Sequence, residues 1–316
     1  HRDLHSFPTR RSSDLNTDKH FCMKTYFFLV LIIFINTACR QRSVNMVSLL
    51  NEMVDREAIA QFPDPPYTLK QFSSYDRATV QPGDSTWFAN RDRTMFIRID
   101  TLNGRKEYVM FDAKGPGAVV RFWMTFSGEN SGHGILRIYF DNEDHPSIEG
   151  KAFDLISGGQ LTGEPLSSSV SDSTIYEKRG HNLYLPLPYA NHCRITYESE
   201  NIKDFGARTG EAVYYNINYR TYSKQVKVIS FSEQELTKAK ETIQKVQIFL
   251  RKRENRLEKL SLKTTSINET IPPEGKATFQ FEGNNAVRLV KIRLSSDSLE
   301  QSDRKSTRLN SSHVSQ

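Results

Sequence analysis

The sequence predicts an all-β fold, an antiparallel β-sandwich, and three observations support this prediction. Short runs of alternating apolar and polar residues follow one another from residue 95 to residue 231. Turn-forming sequences such as Asn103-Gly104 and Gly132-His133-Gly134 separate these runs. The chain shows neither a β-α-β alternation nor a glycine-rich phosphate loop. Many short strands without crossover helices are typical of two antiparallel sheets that pack face to face.

Eight segments have the length and the pattern of strands. They are 95–100, 107–112, 119–126, 135–140, 183–187, 194–198, 212–222 and 225–231. In the segment 212–222, large apolar residues alternate with Asn216, Asn218 and Arg220, which places the two kinds on opposite faces of a strand. The segment 119–126 is apolar on both faces apart from Arg121, which predicts a central strand covered on both sides.

Two stretches have helical spacing instead. Residues 43–56 form a short amphipathic stretch, and the proline-rich run 62–67 that follows excludes a helix. Ser232 and Glu235 form a capping box, which predicts the start of a helix of up to ~45 Å at 1.5 Å per residue. Its apolar residues recur every three or four positions: Leu236, Ala239, Ile243, Val246, Leu250, Leu257 and Leu260. This stripe indicates a face that docks on its own domain, with a coiled-coil partner as the alternative.

The distribution of charge excludes a charge-driven nucleic-acid binder. The chain holds 43 Lys and Arg against 37 Asp and Glu, a net charge of +6, but the body from Cys39 to Ser302 carries 35 basic and 33 acidic residues. Binding to nucleic acid by charge needs a concentrated basic face that displaces counterions from phosphates. With 37% hydrophobic and 11% aromatic residues, the chain is also too apolar to be disordered.

Both ends of the chain differ from this body. Residues 1–22 and 303–316 are rich in Ser and Arg, show no strand or helix periodicity, and resemble translated sequencing-adapter DNA. We expect both ends to be artefacts, with natural disordered tails as the alternative. We therefore also expect the reading frame of the true protein to continue beyond Ser302.

Residues 23–39 are typical of a bacterial export signal. Lys24 precedes the nine uninterrupted apolar residues 27–35, too few to cross a hydrocarbon core of ~30 Å. Small residues then precede Cys39, as in the lipobox of lipoproteins, although Asn36 stands where that pattern prefers Leu. We expect an exported protein, lipidated at Cys39, in the periplasm or at the outer membrane of a bacterium. A plain cleaved signal or a short membrane anchor is the alternative.

The body offers few residues for metal or thiol chemistry. Besides Cys39 it holds only Cys193, which excludes a disulfide framework and a zinc cluster and is typical of a small core residue. Its four histidines are scattered. The run 141–144 (DNED) lacks the central Gly and the distal Glu of a calcium loop, and therefore predicts a hairpin turn. We expect no metal and no cofactor.

One stretch has the residue types of a carbohydrate site. Tyr75, Asp76 and Arg77 lie together, and Asn90 and Asp92 follow after a spacer. A carboxylate accepts sugar hydroxyls, a guanidinium donates to sugar oxygens, and aromatic rings cover the apolar face of a sugar ring. A loop fixed by an ion pair between Asp76 and Arg77 explains the same residues. The spacing of the other acidic residues nominates no catalytic pair for glycosidic hydrolysis.

Several ordered motifs are spread over about 150 residues of the body. They are the run 72–77 (FSSYDR) with Asn90 and Asp92, the run 111–124 (FDAKGPGAVVRFWM), the run 136–141 (LRIYFD) with Pro146, the run 184–189 (YLPLPY) and the run 214–220 (YYNINYR). Together these motifs resemble glycoside hydrolase family 172, first catalogued as a domain of unknown function.

The resemblance implies a double jelly roll that assembles into trimers or larger rings and hydrolyses α-linked furanosides with retention. The family's catalytic glutamates lie in two Gly-rich segments of its second half, and neither segment occurs in this chain. No residue here therefore inherits a catalytic role. A substrate-binding role carries over to Tyr75, Asp76 and Arg77, and also to Asn90 and Asp92, which follow a longer spacer than in the family pattern.

These expectations combine into one layout. An export signal at 23–39 precedes a first jelly-roll domain at 44–231, a helix at 232–262, and the start of a truncated second jelly roll at 263–302, with strands at 276–281 and 287–294.

The expected function is that of the N-terminal portion of an exported hydrolase of difructose anhydride, fructofuranosides or D-arabinofuranosides, inactive in this form. The alternative is a non-catalytic cell-surface module for glycan binding or assembly. The expected partners are an oligo- or polysaccharide and further copies of the chain in a homo-oligomer. Membrane contact is expected only through the lipid anchor.

Overall fold

The computed structural model describes residues 43–58, 61–102, 104–203, 210–252, 263–272 and 274–280, together with Val287 and Val290. The strands of this part are β1 (Tyr67–Ser73), β2 (Arg98–Leu102), β3 (Arg105–Lys114), β4 (Gly117–Ser127), β5 (Ile135–Phe140), β6 (Ile148–Lys151), β7 (Ser167–Val170), β8 (Gly180–Leu183), β9 (Leu187–Tyr189), β10 (His192–Glu198) and β11 (Ala212–Tyr222). The α-helices are α1 (Met46–Glu52), α2 (Ala152–Ile156) and α3 (Glu233–Arg251).

The strands form two antiparallel sheets. The first sheet has six strands, in the order β1-β11-β4-β8-β7 with β9 also paired to β4. The second has five, in the order β2-β3-β10-β5-β6. Apolar side chains from both sheets meet in one core, which confirms the predicted antiparallel β-sandwich. The jelly-roll order of its connections stays a prediction.

Most of the predicted strands are confirmed. The segments 135–140 and 212–222 match β5 and β11 residue for residue, the segments 107–112, 119–126 and 194–198 lie within β3, β4 and β10, and the end of the segment 95–100 belongs to β2. The run 141–144 turns the chain between β5 and β6, as predicted.

The prediction of a strand at 225–231 is wrong. Its backbone amides bond to separate parts of the chain instead of to one neighbouring strand. The amide of Ile229 donates to the carbonyl of Val44 at 2.9 Å, and the amide of Phe231 donates to the carbonyl of Pro188 at 2.8 Å. An apolar, strand-like sequence thus serves here as an irregular tether between the end of the sandwich and α3.

The sequence patterns also missed three strands and joined two others. The missed strands β1, β6 and β7 all lie at the edge of a sheet, where one side of the strand is open and the alternation of burial is weak. The predicted segment 183–187 is split between β8 and β9. Pro186 has no amide to donate, and the amide of Tyr184 donates to the carbonyl of Leu166 at 2.6 Å.

Aromatic rings fill the centre of the core. Phe111 of the second sheet meets Tyr219 and Phe72 of the first sheet edge to face, with ring centroids 4.9 and 5.1 Å apart. This geometry places the positive ring edge against the negative ring face. Cys193 is fully buried in the same core, which confirms it as a small core residue.

The long helix α3 docks on its own domain, as predicted. Ala239, Ile243 and Val246 are buried in the core, and Gln247 donates to the carbonyl of Gly163 at 2.8 Å. A stripe of apolar residues that is already covered in this way has no need of a coiled-coil partner.

The ends of α3 fit the prediction in part. The hydroxyl of Ser232 accepts a hydrogen bond from the amide of Glu235 at 3.2 Å, which is one of the two bonds of a capping box. The helix ends at Arg251, and the predicted stripe residues Leu257 and Leu260 lie outside the described residues.

The short helix α1 confirms the amphipathic stretch at the N-terminal side and covers one end of the first sheet. Leu49 packs with Ala118 and Tyr222, and the guanidinium of Arg220 donates to the carboxylate of Glu52 at 2.7 Å. Because Arg220 lies near the end of β11, α1 covers the outer face of the sheet at that end of the strand.

Residues 252–316 form a second unit. Its described residues 263–272 and 274–280 form neither helix nor strand, so the strand predicted at 276–281 is absent over 276–280. A strand is stable only beside a partner strand, and none of the described residues pairs with this segment. Apart from Val287 and Val290, the predicted strand 287–294 lies outside the described residues. Within the described ranges, no helix has the length and apolarity that a membrane span requires.

His181 of β8 is a buried histidine among aromatic rings. It is fully shielded from solvent, and its ring centroid lies 4.6 Å from that of Phe153 and 5.0 Å from that of Tyr176. Its Nδ1 lies 2.7 Å from the hydroxyl oxygen of Ser157. Burial lowers the pKa of His181 to about 4, because the charged ring loses its hydration.

We predict that His181 makes the fold sensitive to mild acid. An unfolded histidine takes up a proton below its ordinary pKa of 6.5, whereas folded His181 stays neutral down to about pH 4. Falling pH therefore favours the unfolded chain across this window. Between pH 7.5 and pH 5, His181→Gln is expected to lose about 2 kcal/mol less of its free energy of unfolding than the wild type, measured by urea denaturation.

The exposed His145 provides the matched control. His145→Gln is expected to lose as much stability over this range as the wild type does. An equal loss in His181→Gln and in the wild type would contradict the prediction.

Candidate functional site

A groove of about 420 Å³ lies on the outer face of the first sheet. Strands β1, β11 and β4 supply its floor, and the segments that follow β1 and precede β2 supply its rim. The residues that line it are Ser73, Ser74, Tyr75, Asp92, Trp123, Thr125, Tyr214, Tyr215 and Asn216. The groove thus joins two residues of the predicted sugar site, Tyr75 and Asp92, to side chains of the central strands.

The strand register brings three floor residues into one row. Ser73 of β1 pairs with Asn216 of β11, which pairs with Trp123 of β4. Residues directly opposite one another in neighbouring strands point to the same face of the sheet. That face is the outer one, because the next residues along the strands, Ile217 and Phe122, are buried in the core.

Asn216 holds an unused hydrogen-bond acceptor in this row. Its side-chain oxygen Oδ1 is shielded from solvent and has no hydrogen-bond partner among the residues that the structure describes. Such a group costs about 1–3 kcal/mol when it stays unsatisfied. A ligand hydroxyl would remove this cost once the Asn216 side chain turns Oδ1 into the groove. Asn218, the next residue on the same face, is satisfied by contrast, because its side-chain amide donates to Gln71 at 3.1 Å.

Tyr75 forms one wall of the groove and is held by Arg77. The guanidinium carbon of Arg77 lies 4.0 Å from the centroid of the Tyr75 ring, a cation–π contact. The same guanidinium donates through Nη2 to the carbonyls of Ser73 and Met95 at 2.9 and 3.1 Å. The Tyr75 ring remains 53% exposed, so one face of it is available to a ligand.

Asp76 is buried beneath the rim and faces the backbone. Its Oδ1 accepts from the amide of Ala78 at 2.9 Å, and its Oδ2 accepts from the amide of Arg91 at 2.7 Å. The side chain is 6% exposed and does not line the groove. Asp76 and Arg77 do not form the ion pair that was the alternative explanation of this motif. The guanidinium of Arg77 donates to backbone carbonyls instead.

The five predicted site residues therefore divide into three kinds. Tyr75 and Asp92 line the groove. Asp76 and Arg77 lie behind the rim and support it. Asn90 is exposed in the loop that connects the two parts of the rim, away from the groove lining.

Tyr215 lies under the rim and stays protonated. Its hydroxyl donates to the carbonyl of Met95 at 2.9 Å, which also accepts from Arg77. Burial raises the pKa of Tyr215 to about 12, although the nearby guanidinium opposes the shift. At neutral pH the phenol is therefore a hydrogen-bond donor that fixes the segment leading into β2.

The sequence motifs missed the residues that form the floor of the groove. Tyr214 and Asn216 belong to a strand whose pattern indicates only a polar face and an apolar face. Trp123 belongs to the segment 119–126, whose apolar pattern predicts a strand covered on both sides, whereas in the structure Trp123 is only partly buried and lines the groove. The sequence did contain one signal for the floor. The polar face of 212–222 carries amide side chains, whereas a solvent-exposed face commonly carries charged residues. Recognising Trp123 as their neighbour needed the register between β11 and β4.

The other sequence candidates serve the fold. In the turn between β5 and β6, the carboxylate of Asp141 accepts from the amide of Asn191 at 2.7 Å. Among the residues that the structure describes, no three side chains of the types His, Cys, Asp and Glu are grouped so that they could hold a metal ion.

Comparison with known proteins identifies the sandwich. No curated protein matches the chain. A family model described as the GH172 first beta-sandwich domain matches residues 65–239, a range that contains all eleven strands and the rim of the groove. Because this match covers more than half of the chain, the chain belongs to glycoside hydrolase family 172, and its sandwich is the N-terminal module of that family.

Proposed function

We propose that the chain is the N-terminal module of an exported, retaining hydrolase of α-linked furanosides, and that the groove on its first sheet binds the sugar. Family membership supports a carbohydrate substrate. The residue types in the groove support the same class, because aromatic rings, an amide and a carboxylate are the groups that recognise sugar rings and their hydroxyls.

The unpartnered Oδ1 of Asn216 is the observation that carries this proposal. A neutral acceptor, shielded from water and placed beside an indole ring, suits a hydroxyl donor attached to an apolar ring face. In the proposed complex a furanose lies against Trp123 and donates one hydroxyl to Asn216. A second hydroxyl donates to Asp92, and Tyr75 closes the wall.

We further propose that the reacting acids come from outside this sandwich. Retaining hydrolysis needs two carboxyl groups about 5–5.5 Å apart. Among the residues that line the groove, Asp92 is the one carboxylate. The module then supplies substrate binding, and the family's second half supplies the nucleophile and the acid/base. The candidate substrates are difructose anhydride, fructofuranosides and D-arabinofuranosides.

The placement of the protein in the cell is also part of the proposal. The apolar run 27–35 and the lipobox-like Cys39 support export and a lipid anchor. The family resemblance supports a homo-oligomer, a trimer or a multiple of it.

A non-catalytic glycan-binding module is the second candidate. The single carboxylate of the groove favours it, because binding needs no pair of acids. Both candidates require that sugar bind in the groove, and they differ in whether the bond is broken.

Ligand binding can be followed through the chain's two tryptophans, Trp87 and Trp123. In a Trp87→Phe background, we expect difructose anhydride or methyl α-D-arabinofuranoside to change the emission of Trp123. Trp123→Ala, with Trp87 retained, is expected to weaken binding roughly tenfold because a stacked ring is lost; calorimetry measures this affinity. No response to either sugar, with both variants folded, would contradict the proposed function.

Asn216 and Asn218 provide a matched pair on one strand. Asn216→Ala is expected to weaken sugar binding by up to about tenfold, since one hydrogen bond from a ligand hydroxyl is lost. Asn218→Ala should change the affinity less than twofold, because its partner is Gln71. Equal effects of the two substitutions in calorimetric titrations would argue against Asn216 as the ligand contact.

We expect no turnover of difructose anhydride or arabinan by the chain as it stands, because its groove lacks a second carboxylate. Chromatography of the sugars after prolonged incubation measures this. Released monosaccharide would contradict the proposal that the reacting acids come from outside this sandwich.

The gene sequence beyond Ser302 separates the two candidate functions. Two glutamates encoded in Gly-rich segments would support the enzyme, and an early stop codon would favour the binding module.

A further inference from the structure

The two walls of the groove are the two ends of one loop. Tyr75 lies just before residues 76–91, and Asp92 lies just after them. Any motion that separates the ends of this loop therefore separates Tyr75 from Asp92. The loop itself shows large apolar side chains to solvent, with Val80 74% and Phe88 88% exposed, so packing on the core does not hold it closed.

The carboxylate of Asp76 closes the loop at its base. One oxygen accepts from the amide of Ala78, at the first turn. The other accepts from the amide of Arg91, 15 residues after Asp76, at 2.7 Å. Hydrogen bonds from amides to an ionised carboxylate are stronger than those to neutral acceptors, and this carboxylate is 6% exposed. One side chain thus joins both ends of the loop.

A second residue holds the rim against the sheet. The guanidinium of Arg77 donates to the carbonyl of Ser73, at the end of β1, and to that of Met95, which precedes β2. Its central carbon also lies 4.0 Å from the centroid of the Tyr75 ring. The bonds of Asp76 and Arg77 therefore converge on the two segments that supply the walls of the groove.

We propose that Asp76 and Arg77 are positioning residues, which set the separation of Tyr75 and Asp92 without contacting the sugar. This inference rests on the proposed function of the groove, and it differs from the substrate-binding role that the sequence resemblance implies for these two residues. Asp76 acts as a latch: its two accepted hydrogen bonds define the closed loop, and the closed loop defines the groove.

The test replaces the latch with a covalent bond. In Asp76→Asn, an amide N–H group faces one of the two backbone donors, so one latch bond is lost. The hydroxyl of Thr79 donates to the carbonyl of Ala89 at 3.4 Å, so these two positions face each other near the base of the loop. Thr79→Cys together with Ala89→Cys therefore offers the pair for a disulfide. The probe is difructose anhydride or methyl α-D-arabinofuranoside, whichever the wild type binds, with the full chain throughout.

The expected result has two parts. Asp76→Asn weakens binding of the probe at least tenfold and speeds hydrogen exchange of the Arg91 amide at least tenfold. Oxidation of the two introduced cysteines in the Asp76→Asn chain restores the affinity to within about threefold of the wild type. Asp84 lies in the same loop, and its carboxylate accepts from the side-chain amide of Gln81. Asp84→Asn should leave both quantities unchanged.

Two outcomes would overturn the proposal. Affinity that stays low although the disulfide has formed would mean that Asp76 contacts the sugar itself. Unchanged exchange of the Arg91 amide in Asp76→Asn would mean that there is no latch. If the wild type binds neither sugar, the proposed function fails, while the exchange measurement still tests the latch.

Discussion

The two-residue alternation of β11 is the constraint on which the rest of the structure depends. This strand pairs with β1 on one side and with β4 on the other, and its inward side chains, from Val213 to Tyr219, are buried in the core. Its outward side chains are therefore forced into a line on the opposite face. A slip of one residue would exchange the two sets, so the core and the outer face are specified together.

The outward line of β11 is divided between structure and site. At one end Arg220 binds Glu52, and α1 covers the face. In the middle Asn218 bonds to Gln71 of β1. At the other end Asn216 has a neighbouring indole and an oxygen without a partner. Polar groups that a fold buries are normally satisfied. Several buried side-chain atoms of the described residues are exceptions, and Asn216 is the one among them that lines the groove.

The carboxylates also differ in role: some bond within the fold, and one lines the groove. Glu211 is buried and accepts from the hydroxyl of Tyr197 at 2.7 Å and from the amide of Gly132 at 2.6 Å, so it ties a loop to the second sheet. Asp76 has the same chemistry at the rim of the groove. Asp92 is the carboxylate that faces the groove instead. Type and position in the sequence do not distinguish these three acids; their hydrogen-bond partners do.

The sequence predicted the sandwich well because strand periodicity is a local signal. The interior strands β5 and β11 match to the residue, whereas the edge strands β1, β6 and β7, which have a neighbouring strand on one side alone, were missed. Two of the five residues predicted to bind substrate line the groove, and their role in binding stays a prediction. Tyr75 and Asp92 lie at the groove, but the floor joins residues more than ninety positions apart, such as Trp123 and Asn216, and only strand register brings them together. Long-range register is not encoded in any single motif.

A crystal structure of the chain with a bound furanoside tests the central claim most directly. The account predicts electron density for a sugar ring stacked on Trp123, with one hydroxyl within hydrogen-bonding distance of Oδ1 of Asn216. Density elsewhere on the protein, with that oxygen still unpartnered, would contradict it.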